Sequence, residues 1–175
     1  MQRPTDPSPA KGTSRRAFLR NSSMLVAGGA IAASQVQIAR AAHSFGSDTI
    51  KVGLVGCGGR GTGAVQQAMK TSGGEVKLIA MADAFGDRLQ ASLRGITSQN
   101  PDKVAVPKEQ QFVGMNAYQE IMQTDCDMIF LATPPGFRPL HFAAAIAAGK
   151  HVFAEKPVAV DAAGIRKFLE ANEEA

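Results

Sequence analysis

Ile50-Lys51-Val52-Gly53-Leu54-Val55-Gly56-Cys57-Gly58-Gly59-Arg60-Gly61 is the stretch on which the fold turns. A short apolar run, Ile50 to Val55, leads into Gly56, Gly58 and Gly61 at GxGxxG spacing, and a segment with helical periodicity follows. The order is strand, tight turn, helix start. In such a unit the first glycine permits the turn, the second lets the backbone approach a pyrophosphate, and the third lets helix and strand pack closely. Unpaired N–H groups and the helix dipole at the helix start favour negative charge. With 18 glycines in 175 residues, the spacing alone carries little weight, and the rest of the chain must supply its context.

From Arg60 to Lys70, Ala64, Val65, Ala68 and Met69 fall at helical spacing, and Gly73-Gly74 ends the segment. Val76 to Ala82 reads as an apolar strand closed by Asp83, which lies 22 positions beyond Gly61. That is close to the ~20 expected for a carboxylate that accepts hydrogen bonds from the adenosine ribose. Such a carboxylate would repel a 2′-phosphate, which favours NAD over NADP. Two features keep other readings open. Asp83 suits the N-cap of a helix beginning near Phe85, and Arg88, one helical turn further on, is able to serve a phosphate, so NADP stays possible.

Asp87 to Ser98 reads as a helix and Gln99-Asn100-Pro101-Asp102 as a turn, with Pro107 a further interruption. Gln111 to Val113 is a short third strand before a helix across Ala117 to Gln123. Strand character returns at Asp127 to Ala132 and ends at Thr133-Pro134-Pro135-Gly136, where the prolines lack donors and force an extended exit. An alanine-rich helix, Leu140 to Ala148, is closed by Gly149. His151 to Ala154 is another strand, ending in Glu155-Lys156-Pro157. Asp161 caps a last helix, on which Ile165, Phe168 and Leu169 make one apolar face. This alternation predicts an α/β fold with a parallel, doubly wound sheet, the context the glycine loop needs.

A chain with 45% hydrophobic and 19% charged residues can build one globular domain with a real core. Its net charge of +4 is unevenly placed. Six basic residues and one acidic residue precede Ala42, leaving 13 basic and 14 acidic residues in a nearly neutral remainder. Nucleic-acid binding, which needs a clustered basic face, has little support. Within the basic leader, Ser14-Arg15-Arg16-Ala17-Phe18-Leu19-Arg20 resembles the twin-arginine export signal, with Arg20 where that pattern more often has lysine. An apolar stretch from Met24 to Ala33 follows, and Ala39-Arg40-Ala41 offers small residues at cleavage spacing. The alternatives are a basic tail with a chance Arg-Arg, or a membrane anchor. The anchor is disfavoured by a stretch much shorter than the ~20 residues that span a bilayer. The expected organisation is a signal at 1–41, a linker at 42–48 and a dinucleotide-binding domain at 49–175, exported to the periplasm through the twin-arginine machinery. That route carries folded proteins, so the cofactor is expected to load first.

From Thr49 to Asn172 the chain resembles the glucose-fructose oxidoreductase, inositol dehydrogenase and MocA group of oxidoreductases. The resemblance rests on Gly56-Cys57-Gly58-Gly59-Arg60-Gly61, Ala82-Asp83, Ala132-Thr133-Pro134-Pro135, Ala148-Gly149-Lys150-His151-Val152 and Glu155-Lys156-Pro157, in that order. It implies a Rossmann domain, then an open-faced α+β domain, with NAD or NADP between them and a sugar, polyol or related hydroxy compound as substrate. It places Gly56, Gly58, Gly59, Arg60, Gly61, Asp83, Thr133, Pro134, Glu155 and Lys156 at the cofactor. It also gives Lys156 a role facing both cofactor and substrate. A lysine at the carboxyl end of a parallel strand points into the ligand crevice. Its ammonium can hydrogen-bond the substrate oxygen and stabilise charge as hydride moves, and partial burial would lower its pKa and ease proton exchange. Taken alone, Lys156 reads first as a solvated surface lysine, and Thr133 and Pro134 read almost as well as simple strand terminators.

His141 opens an alanine-rich helix, where a structural contact is expected. His151 starts a strand at the opposite end of the sheet, and His43 lies in the linker. No His, Cys or carboxylate spacing makes a zinc site. Cys57 and Cys126 belong at opposite ends of neighbouring parallel strands, so two free thiols are expected. Where Glu173-Glu174-Ala175 stands, the family continues into another strand and a second domain, so a fragment or truncated frame is expected, with His151 to Phe153 left as an edge. Two further readings stay open: an NAD-using glycoside hydrolase of the same group, and a non-catalytic dinucleotide-binding fragment.

Overall fold

The computed structural model describes residues 49–175. The leader, the linker and His43 lie outside them. The elements are β1 (Thr49–Val55), α1 (Gly59–Ala68), β2 (Glu75–Asp83), α2 (Gly86–Gln99), β3 (Gln111–Val113), α3 (Ala117–Ile121), β4 (Met128–Leu131), α4 (Arg138–Ala147), β5 (His151–Ala154) and α5 (Ala162–Glu173). All five strands pair in parallel, in the order β3-β2-β1-β4-β5. The chain starts in the middle, works outward to β3, then returns to the other side of β1. The strand order therefore reverses between β1 and β4, and such a switch point opens a crevice at the carboxyl ends of the strands.

Both faces of the central strands β1, β2 and β4 are covered, which explains why they read as largely apolar runs. On one face Val52, Leu54, Leu78, Met81 and Phe130 pack with Val65 and Met69 of α1 and Leu89 and Ile96 of α2. On the other, Val55, Ala80, Ala82, Ile129 and Leu131 pack with Tyr118 and Ile121 of α3, Phe142 and Ala145 of α4, and Ala171 of α5. Side chains such as Leu54, Leu78, Met81 and Leu89 are fully buried, each worth about 1.5–3 kcal/mol relative to exposure. A bulge interrupts β2: the register moves from Val52↔Leu78 to Gly53↔Ala80. Ile79 and Ala80, though adjacent, both pack on the same face, and the alternation restarts after them.

The predicted elements are all present with small boundary changes. Helix α4 begins two residues before Leu140 and carries Pro139 in its first turn, where a missing N–H costs no helical bond. Pro101–Lys103 and Lys108–Gln110 form short 3₁₀ turns between α2 and β3, and Val104 bridges Leu78 between them. Asp161 caps α5 as expected, accepting from the Gly164 N–H at 2.7 Å. The expected apolar face of α5 needs correction. Phe168 stacks on Phe142 and Ala171 is buried, but Ile165 is 40% and Leu169 57% exposed. The helix leans on α4 along the Phe168–Ala171 side, which turns Ile165 and Leu169 away. Among the described residues strand β5 pairs with β4 alone and forms an edge of the sheet. Among the described residues no helix is long and apolar enough to cross a membrane.

Candidate functional site

At the switch point the ladder hands the chain directly into the site. Gly56 N–H donates to the Ala82 carbonyl at 2.9 Å, Ala132 N–H to Val55, and Glu155 N–H to Leu131. The loops after β1, β2, β4 and β5 are therefore fixed by the same hydrogen bonds that hold the sheet. Gly56 has φ +95°, open to glycine at no steric cost, and a Cβ there would stand 2.7 Å from the backbone of Ala132 and Thr133.

Gly61 is a packing glycine. It lies on the buried stripe that Gly61 and Val65 of α1 make with the C-cap residue Met69, and a Cβ would approach the Gly56 carbonyl oxygen to 2.1 Å. Gly58 and Gly59 differ, since a Cβ on either would meet no protein atom within 4 Å. No protein atom therefore stands over the loop at either position. Helix α1 starts here with Gly58 as its N-cap, no capping side chain and no acid in its first turn. Its first N–H groups are left for an anion. The residues present thus fit a pyrophosphate.

Asp83 faces this loop. One carboxylate oxygen accepts the Cys57 N–H at 2.6 Å and the other the Phe85 N–H at 2.9 Å. The N-cap of α2 is Phe85, without a side-chain cap, so the capping reading of Asp83 is set aside. Its position ties the end of β2 to the glycine loop. Arg88, considered for a phosphate, lays its guanidinium over the Phe85 ring at 5.2 Å.

On the other side of the switch point, Arg60 reaches across to Glu155 at 2.6 Å; Arg60 is three-quarters exposed while Glu155 is 8% exposed. A cation in the first turn of a helix opposes the dipole, and the buried carboxylate compensates it. Lys156 lies two residues beyond β5 and is exposed, so the expected partial burial is not met among the described residues.

A cleft of about 510 Å³ joins these groups. Gly56, Gly58, Arg60, Asp83, Thr133, Pro134, Glu155 and Lys156 all line it, whereas Gly59 lines a shallow groove beside α2 and Gly61 is interior. Four cations (Arg60, Arg88, Arg138 and Lys156) and two carboxylates (Asp83 and Glu155) line the cleft, a balance that suits an anionic ligand. The sequence reading missed Phe85, Met115, Tyr118, Phe137 and Arg138 in its wall.

The GFO_IDH_MocA family, described as an oxidoreductase family with an NAD-binding Rossmann fold, matches residues 50–175. The chain belongs to it. A glycosyl hydrolase family 109 protein from Shewanella pealeana is 31% identical over 115 residues, covering 65% of this chain and 24% of that protein. Inositol 2-dehydrogenase from Klebsiella pneumoniae is 29% identical over 124 residues, covering 71% and 33%. Among solved structures, apo scyllo-inositol dehydrogenase from Lactobacillus casei aligns with a TM-score of 0.57 at 26% identity, covering 73% of this chain and 34% of that one. The WlbA dehydrogenase from Bordetella pertussis, in complex with NADH and UDP-GlcNAcA, aligns with a TM-score of 0.57 at 27% identity, covering 73% and 33%. The chain spans about a quarter to a third of the length of these two curated relatives, the hydrolase and the inositol dehydrogenase.

Within this GFO_IDH_MocA domain, His141 is a wall residue. It is 7% exposed, its ring stacks on Tyr118 at 4.3 Å, and Nδ1 lies 3.1 Å from the Thr133 hydroxyl. Burial pulls its pKa down to about 4, so the imidazole stays neutral at physiological pH and supports Thr133. Cys57 and Cys126 are free and buried, and burial pushes both thiols up. Among the described residues no cluster of His, Cys, Asp and Glu could hold a metal ion.

Proposed function

We propose that this chain is the cofactor-binding half of an exported NAD-dependent oxidoreductase acting on a sugar, polyol or related hydroxy compound. The observation that carries this is the cleft itself: bare Gly58 at an uncapped helix start, Asp83 on one side and Lys156 on the other. In this reading the pyrophosphate sits on the first N–H groups of α1, and Asp83 accepts the adenosine ribose hydroxyls. Thr133, Pro134 and Glu155 border the nicotinamide half. When bound, the cofactor supplies hydride transfer. Lys156 hydrogen-bonds the substrate oxygen and offsets the charge that builds on it. The names of the relatives, inositol 2-dehydrogenase and a dehydrogenase with a UDP-sugar, support a polyhydroxy substrate.

Titration of the purified chain with NAD⁺ by calorimetry is expected to give one-to-one binding, with NADP⁺ weaker by at least about tenfold because of Asp83. No binding of either dinucleotide would overturn the reading. The family 109 relative favours a second one, a hydrolase in which hydride returns to the sugar. Net NADH accumulation separates the two, since only the dehydrogenase accumulates it.

Export is proposed from Arg15, Arg16 and the small residues at Ala39-Arg40-Ala41. Residues 1–48 fused to a folded fluorescent reporter are expected to deliver it to the periplasm, and the Arg15→Lys, Arg16→Lys pair to retain it in the cytoplasm. Equal delivery by both fusions would remove export from the proposal.

A further inference from the structure

Arg138 is a buried, charged side chain of the cleft wall whose chemistry the dinucleotide reading does not use. It is 4% exposed and opens α4, where Arg138, His141, Phe142 and Ala145 form the stripe turned to the interior. One terminal nitrogen donates to the carbonyls of Glu155 and Pro157 and the other to the carbonyl of Thr133, while Nε has no partner. These carbonyls belong to two separate loops, one after β4 and one after β5.

Burying a guanidinium is costly unless its donors are matched. A cation at a helix start also opposes the dipole, and the nearby Glu155 charge, shared with Arg60, offsets part of that cost. Against these penalties both terminal nitrogens are matched by carbonyls. Guanidinium is a rigid planar fork whose donors keep fixed spacing, unlike the single rotating ammonium of lysine. Held between three carbonyls, it sets the separation of the Thr133-Pro134 and Glu155-Lys156-Pro157 loops. Both loops line the cleft on the far side of the glycine loop from Asp83. With adenosine at Asp83 and pyrophosphate at Gly58, the remaining half of a dinucleotide extends between them.

We propose that Arg138 is a positioning residue that sets the width of the nicotinamide seat without contacting the adenosine end. The inference rests on the dinucleotide reading above. Arg138→Lys and Arg138→Met are to be compared with the unaltered chain by titration with NADH and with ADP-ribose, following nicotinamide fluorescence and thermal unfolding. The unaltered chain is expected to bind NADH more tightly than ADP-ribose and to shift the nicotinamide emission. Arg138→Lys is expected to leave ADP-ribose affinity within about twofold, to weaken NADH by about tenfold, and to return the emission towards that of free NADH.

Loss of ADP-ribose and NADH binding in parallel, with a lowered unfolding temperature, would mean a role in the fold alone and overturn the proposal. So would unchanged NADH affinity and emission. Equal affinity of the unaltered chain for both ligands would remove the nicotinamide seat while leaving the dinucleotide reading intact. Binding of neither ligand would sink the dinucleotide reading itself. Should Arg138→Met fail to fold, Arg138→Lys decides, since it keeps the charge and most of the stem.

Discussion

Gly61→Ala is expected to destabilise the domain by roughly 3 kcal/mol or more, beyond ordinary overpacking. The added methyl would stand 2.1 Å from the Gly56 carbonyl oxygen and 3.0 Å from both the Ala132 Cβ and a Leu54 methyl. All three neighbours belong to the sheet and the loops that leave it, so relief requires α1 to lift from β1 and to lose the burial of Val65 and Met69. Gly58→Ala is the matched control. It meets nothing within 4 Å and its backbone, at φ −74° and ψ 179°, suits any residue. Its stability is expected to change by no more than about 0.5 kcal/mol, while NAD⁺ affinity falls at least about tenfold because the methyl occupies the phosphate's approach. Urea unfolding of the three proteins measures the first effect and calorimetry the second. If both variants unfold at the same urea concentration as the parent, the packing role given to Gly61 is wrong.

The second large effect is catalytic. Replacing the lysine of the Glu-Lys-Pro signature by alanine in a full-length family dehydrogenase is expected to slow hydride transfer by about 10²–10³-fold, the range found when one donor to a developing charge is removed. In this chain Lys156→Ala is expected to leave NAD⁺ binding within about twofold, since Lys156 is exposed and lies past the end of β5. Single-turnover NADH formation reads the first and calorimetry the second. Undiminished turnover with intact binding would remove Lys156 from the chemistry.

Much of the fold was legible because a parallel sheet covered on both sides writes its strands as apolar runs. Val52 to Val55, Leu78 to Ala82 and Ile129 to Leu131 have no solvent side to interrupt them. The glycine loop and Asp83 were legible for a related reason, since they sit at strand ends where the ladder fixes them. Arg138 was not, because a charged residue beside a proline reads as surface. Its burial depends on carbonyls contributed by residues 133, 155 and 157, which only the folded chain brings together. The one local clue was its spacing to His141 and Phe142 on a helical stripe. Ile165 and Leu169 misled in the opposite direction. Apolar spacing of four predicts a buried face, but which side of α5 meets α4 is a tertiary choice.

The bulge at Ile79 and Ala80 gives β2 one residue of slack. Remove either and the remaining residue fills the place opposite Gly53. Met81 and Ala82 keep their sides, and the Asp83 carboxylate keeps its hold on the loop. A strand shorter by one residue therefore builds the same cleft. The count from the third glycine to the acidic residue is elastic by one step in this sheet.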